Sequence, residues 1–482
     1  MNFKIIGRFI AQILAIELLF MLPALAISLG YCEWRSVQAF LCTIGLLGLI
    51  SLVLYLLCRK APNALSAREG MICVGTIWII LSLFGCLPFF LSGAIKNYID
   101  AFFEIVSGFT TTGASILSDV EALPKGLLYW RSFSHWVGGM GVLVLLLAII
   151  PGSKEAGFSM HLLRAESPGP NVGKLVPRMR KTATILYLIY IGMTLLNILF
   201  LLFGRMPLFD AVCTAFGTAG TGGFGIKNDS LAGYSPYIQY VTTVFMFLFG
   251  INFSCYYLLL LRQIKDVFRD EELRLYFGLV AASILLIVLN IRHLYPTIEE
   301  TIRHASFTVS TIITTTGYAT TDFDRWPAFS KAIILFLMVT GACAGSTGGG
   351  LKIARLLLLV KSLRRNIKQV LNPRKVQVIR NNGQPVTEKV LDNTNAYLAA
   401  YVCIIIFSFI LISFDDFSVG TNFTAVLSCF NNIGPGLEAV GPTCNYAAYS
   451  SFSKLVLSAD MLAGRLEIFP ILLLFSRSAW RR

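Results

Sequence analysis

The chain has 482 residues, of which 56% are hydrophobic and only 14% charged, and it carries a formal net charge of +14. Soluble domains hold about 25% charged residues, so this balance excludes a large soluble domain, and apolar runs long enough to cross a bilayer recur from end to end. The positive charge then reads as the basic loops of a membrane protein, not as a nucleic-acid surface.

In chain order, the first two spans are expected at 6–29 and 37–57, with Lys4 and Arg8 before them. The first run is too long for a cleaved signal sequence and more spans follow, so it reads as a retained helix. Four units follow, each a span, a shorter apolar segment and a second span. The spans are expected at 70–92 and 130–150, 182–203 and 237–261, 275–291 and 329–360, and 396–414 and 452–475. The shorter segments, 98–115, 208–224, 299–319 and 417–436, cannot cross twice but can dip in and return. Ten spans place every basic stretch on one side: Arg59 to Arg68, 151–181, 262–274, 361–392 and both termini. The positive-inside rule makes that side cytoplasmic, so all four short segments enter from outside. The expected organisation is two leading helices in 1–69 and units at 70–180, 181–273, 274–392 and 393–482.

Each short segment ends in a related motif. Thr314-Thr315-Thr316-Gly317-Tyr318 reads as one wall of a cation filter, in which backbone carbonyls replace a lost hydration shell. The same flavour recurs in Thr110-Thr111-Thr112-Gly113, in Thr221-Gly222-Gly223 and, most divergent, in Asn432-Ile433-Gly434. The central glycines are read as Gly113, Gly222, Gly317 and Gly434, spaced roughly 100 residues apart as in a repeat architecture. Acids near the outer starts of the dipping helices (Asp100 and Glu104, Asp210, Glu299 and Glu300, Asp415 and Asp416) complement the helix dipoles and would also draw cations to the mouth.

Two further features lie in the spans. Five glycines in the ten residues 341–350 should interrupt the helix there, the alternative being close packing of small residues. Arg465 is an intramembrane charge beside Asp460 and Glu467, either a structural ion pair or a functional group on the pathway. The 11 cysteines contain no Cys-x-x-Cys and read as small apolar residues; His135, His161, His293 and His304 read as loop or helix-end residues. No His-Glu-x-x-His, Gly-x-Ser-x-Gly or phosphate-loop pattern is present, so an enzyme is not expected.

Four span–loop–span units with these motifs resemble the Trk/Ktr/HKT superfamily of potassium transporters, and the two leading spans resemble its bacterial TrkH branch. The resemblance implies an all-α integral membrane protein with four pore repeats around one pore. It implies filter residues Thr111, Thr112, Gly113, Thr221, Gly222, Gly223, Thr316, Gly317, Tyr318, Asn432, Ile433 and Gly434, with potassium as the ion held there. It implies a gate formed by Gly345, Gly348, Gly349, Gly350 and Arg465. It also implies a homodimer in the bacterial inner membrane, contact with lipid, no nucleic acid, no cofactor of its own, and a TrkA-like cytoplasmic nucleotide-binding regulator. Glycine at all four central positions implies potassium preference; a sodium-permeable or proton- or sodium-coupled symporter is the alternative.

Overall fold

The computed structural model describes residues 3–59, 67–141, 179–374 and 377–480. It is helical apart from a two-residue hairpin, β1 (Arg380–Asn381) and β2 (Gln384–Pro385). Helices α1 (Phe3–Gly30) and α2 (Trp34–Cys58) form a hairpin whose outer flank exposes Leu49, Leu52 and Leu56, as a surface facing lipid tails would. Its turn is fastened to the rest of the protein by Glu33, whose carboxylate accepts the Lys125 and Gly126 amides at 2.5 and 3.1 Å.

The four units then follow. The first holds α3 (Ala67–Gly85), α4 (Leu87–Leu91), α5 (Tyr98–Phe109) and α6 (Lys125–Gly139). The second holds α7 (Met179–Phe203), α8 (Leu208–Gly220), α9 (Pro236–Phe249), α10 (Phe253–Leu260) and α11 (Ile264–Arg269). The third holds α12 (Glu271–Ile291), α13 (Ile298–Ile313), α14 (Ala328–Thr340) and α15 (Ile353–Leu371). The fourth holds α16 (Glu388–Ile412), α17 (Val419–Phe430), α18 (Ser451–Arg465) and α19 (Phe469–Phe475), with α20 (Arg477–Trp480) at the end.

Helices α5, α8, α13 and α17 have 12, 13, 16 and 12 residues. At 1.5 Å per residue they are too short to cross a core of about 30 Å. Three of them start where the sequence supplies caps: Asn97, Thr297 and Ser418 accept from the backbone amides of Ile99, Glu300 and Thr421, while α8 starts after Pro207 without a side-chain cap.

Six helical stretches among the described residues are long and apolar enough to cross a membrane, from Phe3–Gly30 to Glu388–Asp415. The ten expected spans differ from this because the second helix of a unit is broken. The expected span 237–261 bends by 88° between α9 and α10. The expected span 452–475 breaks after α18, where Glu467 and Ile468 adopt φ of 58° and 67°. The third, 329–360, breaks where its glycines foretell. In the first unit α6 stops at Gly139, and residues 142–150 of the expected span 130–150, together with most of the basic loop 151–181 and His161, lie outside the described residues.

Candidate functional site

The four short helices end in the same way. Each leaves its last turn through a left-handed residue: Thr111, Thr221, Thr315 and Asn432 have φ of 57°, 52°, 56° and 56°. The next amide reaches back five residues: Thr112 to Ser107 O (2.8 Å), Gly222 to Gly217 O (2.8 Å), Thr316 to Thr311 O (2.8 Å), and Ile433 to Ser428 O (3.0 Å). This is the Schellman closure of a helix C-terminus, a place where glycine is usual. A β-branched threonine there is strained, and such strain persists only where the surroundings fix it. The Thr111 and Thr221 hydroxyls each donate to the preceding carbonyl, at 2.7 and 2.6 Å.

Two residues after that turn, φ becomes positive again, at Gly113 (81°), Gly223 (72°), Gly317 (89°) and Gly434 (99°). These glycines close a ring. A β-carbon added at Gly113 would lie 2.1 Å from Gly222 O, one at Gly223 1.9 Å from Thr316 O, and one at Gly317 2.2 Å from Ile433 O. One at Gly434 would lie 2.7 Å from Thr112 O. Each loop thus rests on a carbonyl of the next, and the fourth returns to the first.

The register corrects one expectation. The central glycine of the second loop is Gly223, not Gly222; Gly222 occupies the place of Thr112, Thr316 and Ile433. It is glycine for another reason, since a β-carbon there would stand 2.2 Å from Nδ1 of His135. The expected residues Thr111, Thr112, Gly113, Thr221, Gly222, Gly223, Thr316, Gly317, Asn432, Ile433 and Gly434 all come together in the ring, and Thr315, part of the third motif but not among the expected filter residues, joins them. Tyr318 follows Gly317, and its side chain is a strut: the hydroxyl donates to Thr214 O at 3.1 Å, tying the third loop to α8.

Behind the ring, His135 is fully buried within α6 and stacks on Phe224 at 4.1 Å, and His304 is buried inside α13 with Nδ1 2.9 Å from Thr320 Oγ1. Neither is the loop or helix-end residue expected; both lie on buried helix faces. Above the ring, a cavity of about 140 Å³ is lined by the residues that follow the glycines, among them Ser115, Asn228, Ala319 and Tyr446. The acids expected to charge this mouth are largely engaged. Asp100 pairs with Lys454 (2.7 Å), Glu104 with Arg131 (2.6 Å) and Glu299 with Arg303 (3.1 Å). Asp210 accepts from the Tyr234 hydroxyl and Asp415 from the Ser450 amide. Glu104 in particular is buried in mid-helix, where tertiary contact supplies the partner that desolvation demands.

Against the opposite side of the ring lies the chain between α14 and α15. Gly341 turns it with φ of 70°. The Gly349 amide donates to Thr315 Oγ1 at 2.6 Å, and a β-carbon at Gly349 would meet Asn431 O at 2.4 Å, so the chain passes directly under the third and fourth loops. Gly345, Gly348, Gly349 and Gly350 all belong to it. Charged side chains satisfy part of its buried, non-helical backbone, as chain at membrane depth requires. Glu272 accepts the Ala344 and Ala354 amides at 2.5 and 3.1 Å. Lys352 donates to Gly348 O. Arg465 donates to Thr347 O (2.8 Å) and to Gly139 O (2.6 Å), joining the chain to the end of α6. The acids beside Arg465 have other partners: Glu467 binds Arg355, and Asp460 accepts from Ser408 at 2.7 Å.

A family model described as a TrkH cation transport protein matches residues 36–481. The Trk system potassium uptake protein TrkH of Salmonella typhimurium is 39% identical over 433 residues, 88% of each chain. That of Vibrio parahaemolyticus is 33% identical over 493 aligned positions, covering all of both chains. The crystal structure of the potassium transporter TrkH from Vibrio parahaemolyticus superposes with a TM-score of 0.90 at 30% identity, again over the full length of both.

Proposed function

The chain belongs to the TrkH family of cation transport proteins, and from that membership we propose that it carries potassium into the cell through the ring of four glycine-centred loops. The observation that carries this reading is the closure of the ring, each glycine lying on a neighbour's carbonyl without room for a methyl group. Such a ring offers backbone oxygens at fixed spacing in place of water, with the negative ends of four short helices turned toward it. Fixed carbonyl positions favour an ion whose bare radius fits them, which is the basis for preferring potassium to sodium.

In this reading the chain at 341–352 is the gate. It lies against the ring on the side opposite the cavity, and the Arg465 guanidinium bonded to Thr347 both holds it and opposes a cation there. Opening then means exchanging a few hydrogen bonds, most of them to charged side chains, not unfolding a helix. The protein works as a homodimer in the bacterial inner membrane with both termini in the cytoplasm. A soluble nucleotide-binding regulator docks on the basic cytoplasmic face around Arg364, Arg365 and Lys368; Arg365 also reaches Glu388 at 2.6 Å. Reversing the three charges should abolish co-purification with the regulator; retention would leave these charges to topology and anionic lipid.

The decisive experiment is flux through the purified protein in liposomes. Potassium should enter faster than sodium at equal concentration. Equal rates would replace this reading with a sodium-permeable pathway, and no flux of either, with the gate removed, would end it.

A further inference from the structure

Behind the first two loops lies a buried ion pair that the ring's own backbone does not require. Arg131, 2% exposed on α6, donates Nε to Glu104 Oε1 at 2.6 Å, and Glu104 is fully buried on α5. The Glu104 carboxylate also accepts from Ser115 Oγ (2.9 Å) and from the Ile116 amide (2.9 Å), just past Gly113. The other arm of Arg131 donates from Nη1 to Gly225 O at 2.8 Å, two residues past Gly223. Its guanidinium lies 3.5 Å from the centre of the Phe224 ring. One cation and one anion therefore grip the first and second loops at matching places, and the cation lines the cavity above the ring.

The neighbouring junctions are tied differently. Between the second and third loops the Ala319 amide donates to Ser230 Oγ at 3.2 Å. Between the fourth and first, the Tyr446 amide donates to Ser115 O at 2.8 Å and its hydroxyl to Gly434 O at 2.8 Å. Those struts at the loops are neutral; the charged contacts of these junctions, Lys454 with Asp100 (2.7 Å) and Arg303 with Gln239, involve the short helices and not the loops. A buried ion pair is weak evidence for stability, since well-packed apolar groups often serve as well. Its presence beside a cation pathway calls for another role.

We propose that Arg131 and Glu104 are a positioning pair that sets ion discrimination at the junction of the first two loops. This rests on the reading of the ring as the potassium pathway. Two effects are combined in the pair. The planar fork of arginine spans a carboxylate on one side and a carbonyl on the other, which a lysine ammonium cannot do in one plane. The pair is also neutral as a unit. An unpaired guanidinium in the cavity wall would repel an entering cation, and an unpaired carboxylate would hold one. Removing either partner thus loosens the same two loops but pushes cation occupancy in opposite directions.

The test uses the full chain in liposomes, with potassium and sodium flux measured against concentration for Glu104→Gln, Arg131→Gln, Arg131→Lys and the double variant Glu104→Gln/Arg131→Gln. Monodisperse protein by gel filtration is the folding control. Glu104→Gln should raise the half-saturating potassium concentration about tenfold, and Arg131→Gln should lower the potassium-to-sodium ratio about tenfold without that rise. The double variant should recover half-saturation while its ratio stays low, and Arg131→Lys should keep the charge without recovering the ratio. Should the single variants fail to fold, the double variant, which buries no lone charge, decides. A double variant that discriminates as the parent does overturns the proposal, as do folded single variants with unchanged ratio and half-saturation. Absence of potassium flux in the parent protein would instead count against the ring as a pathway.

Discussion

The ring and the chain beneath it are both non-helical backbone in an otherwise helical protein, yet they are held largely by different means. The ring is fixed by repetition: four left-handed turns, four backward amide bonds and four glycines, each against the next loop. The lower chain occurs once, in the third unit; apart from two backbone bonds to the bend between α9 and α10 (Cys343 to Gly250 O, 3.1 Å, and Phe253 to Gly345 O, 3.0 Å), it is held mainly by the long side chains of Glu272, Lys352 and Arg465. Backbone contacts in a closed ring cannot be exchanged singly, because moving one loop displaces its neighbour. Side-chain contacts can be broken one at a time and remade elsewhere. The difference suits a part that must keep one geometry and a part that must adopt two.

Changes to the ring should have the largest effects. Gly317→Ala places a methyl 2.2 Å from Ile433 O at a φ of 89°. Forcing a side chain into such a conformation costs about 1–3 kcal/mol, so the potassium-to-sodium flux ratio should fall roughly ten- to hundredfold. An unchanged ratio in folded protein would remove this glycine from selection. Next come the gate contacts. Shortening the chain within 346–349 should raise resting flux without a regulator, and Arg465→Ala should do so to a lesser degree, since Glu272 and Lys352 remain. If both variants stay as closed as the parent, the chain is packing and not a gate. Glu272→Gln keeps the shape but weakens two amide bonds to a charged acceptor, each worth about 1.5–3 kcal/mol, and should give a smaller rise in the same assay.

The smallest effect belongs to the outer surface. Glu438 accepts from Ser418 and Thr421 at the start of α17, and the Ser418 hydrogen bond holds its carboxyl below the ordinary 4.5. A lowered value means that the contribution is present at neutral pH and fades as the pH falls through that lowered value. Glu438→Gln should therefore lower the melting temperature slightly at pH 7, by an effect below about 1 kcal/mol, and not at all in strong acid. An equal loss at both pH values would show that the charge is not what matters.

Much of this arrangement is legible in the sequence because the unit is written four times. The four dipping segments and the glycine-rich break at 341–350 follow from composition, span length and the need to satisfy buried backbone. The second loop misleads because Gly220, Gly222 and Gly223 crowd into four positions, and only the dihedrals separate the one facing the third loop from those that make room for α6. The bends after Phe249 and Arg465 are not legible either: the second is made by Glu467 and Ile468, residues with no preference for left-handed backbone. The roles of Glu104 and His135 depend on tertiary neighbours far along the chain. A signal did exist for Arg131 and His135, two ionisable residues four apart on one face of an apolar helix.

The separation of ion choice from gating is tested most directly by measuring two quantities on two variants in one liposome preparation: the potassium-to-sodium ratio and the resting flux, for Gly113→Ser and for the protein shortened within 346–349. Gly113→Ser should lower the ratio and leave resting flux as in the parent, while the shortened protein should raise resting flux and keep the parent's ratio. If each variant moves both quantities together, ring and lower chain are one element and the division of labour drawn between them is wrong.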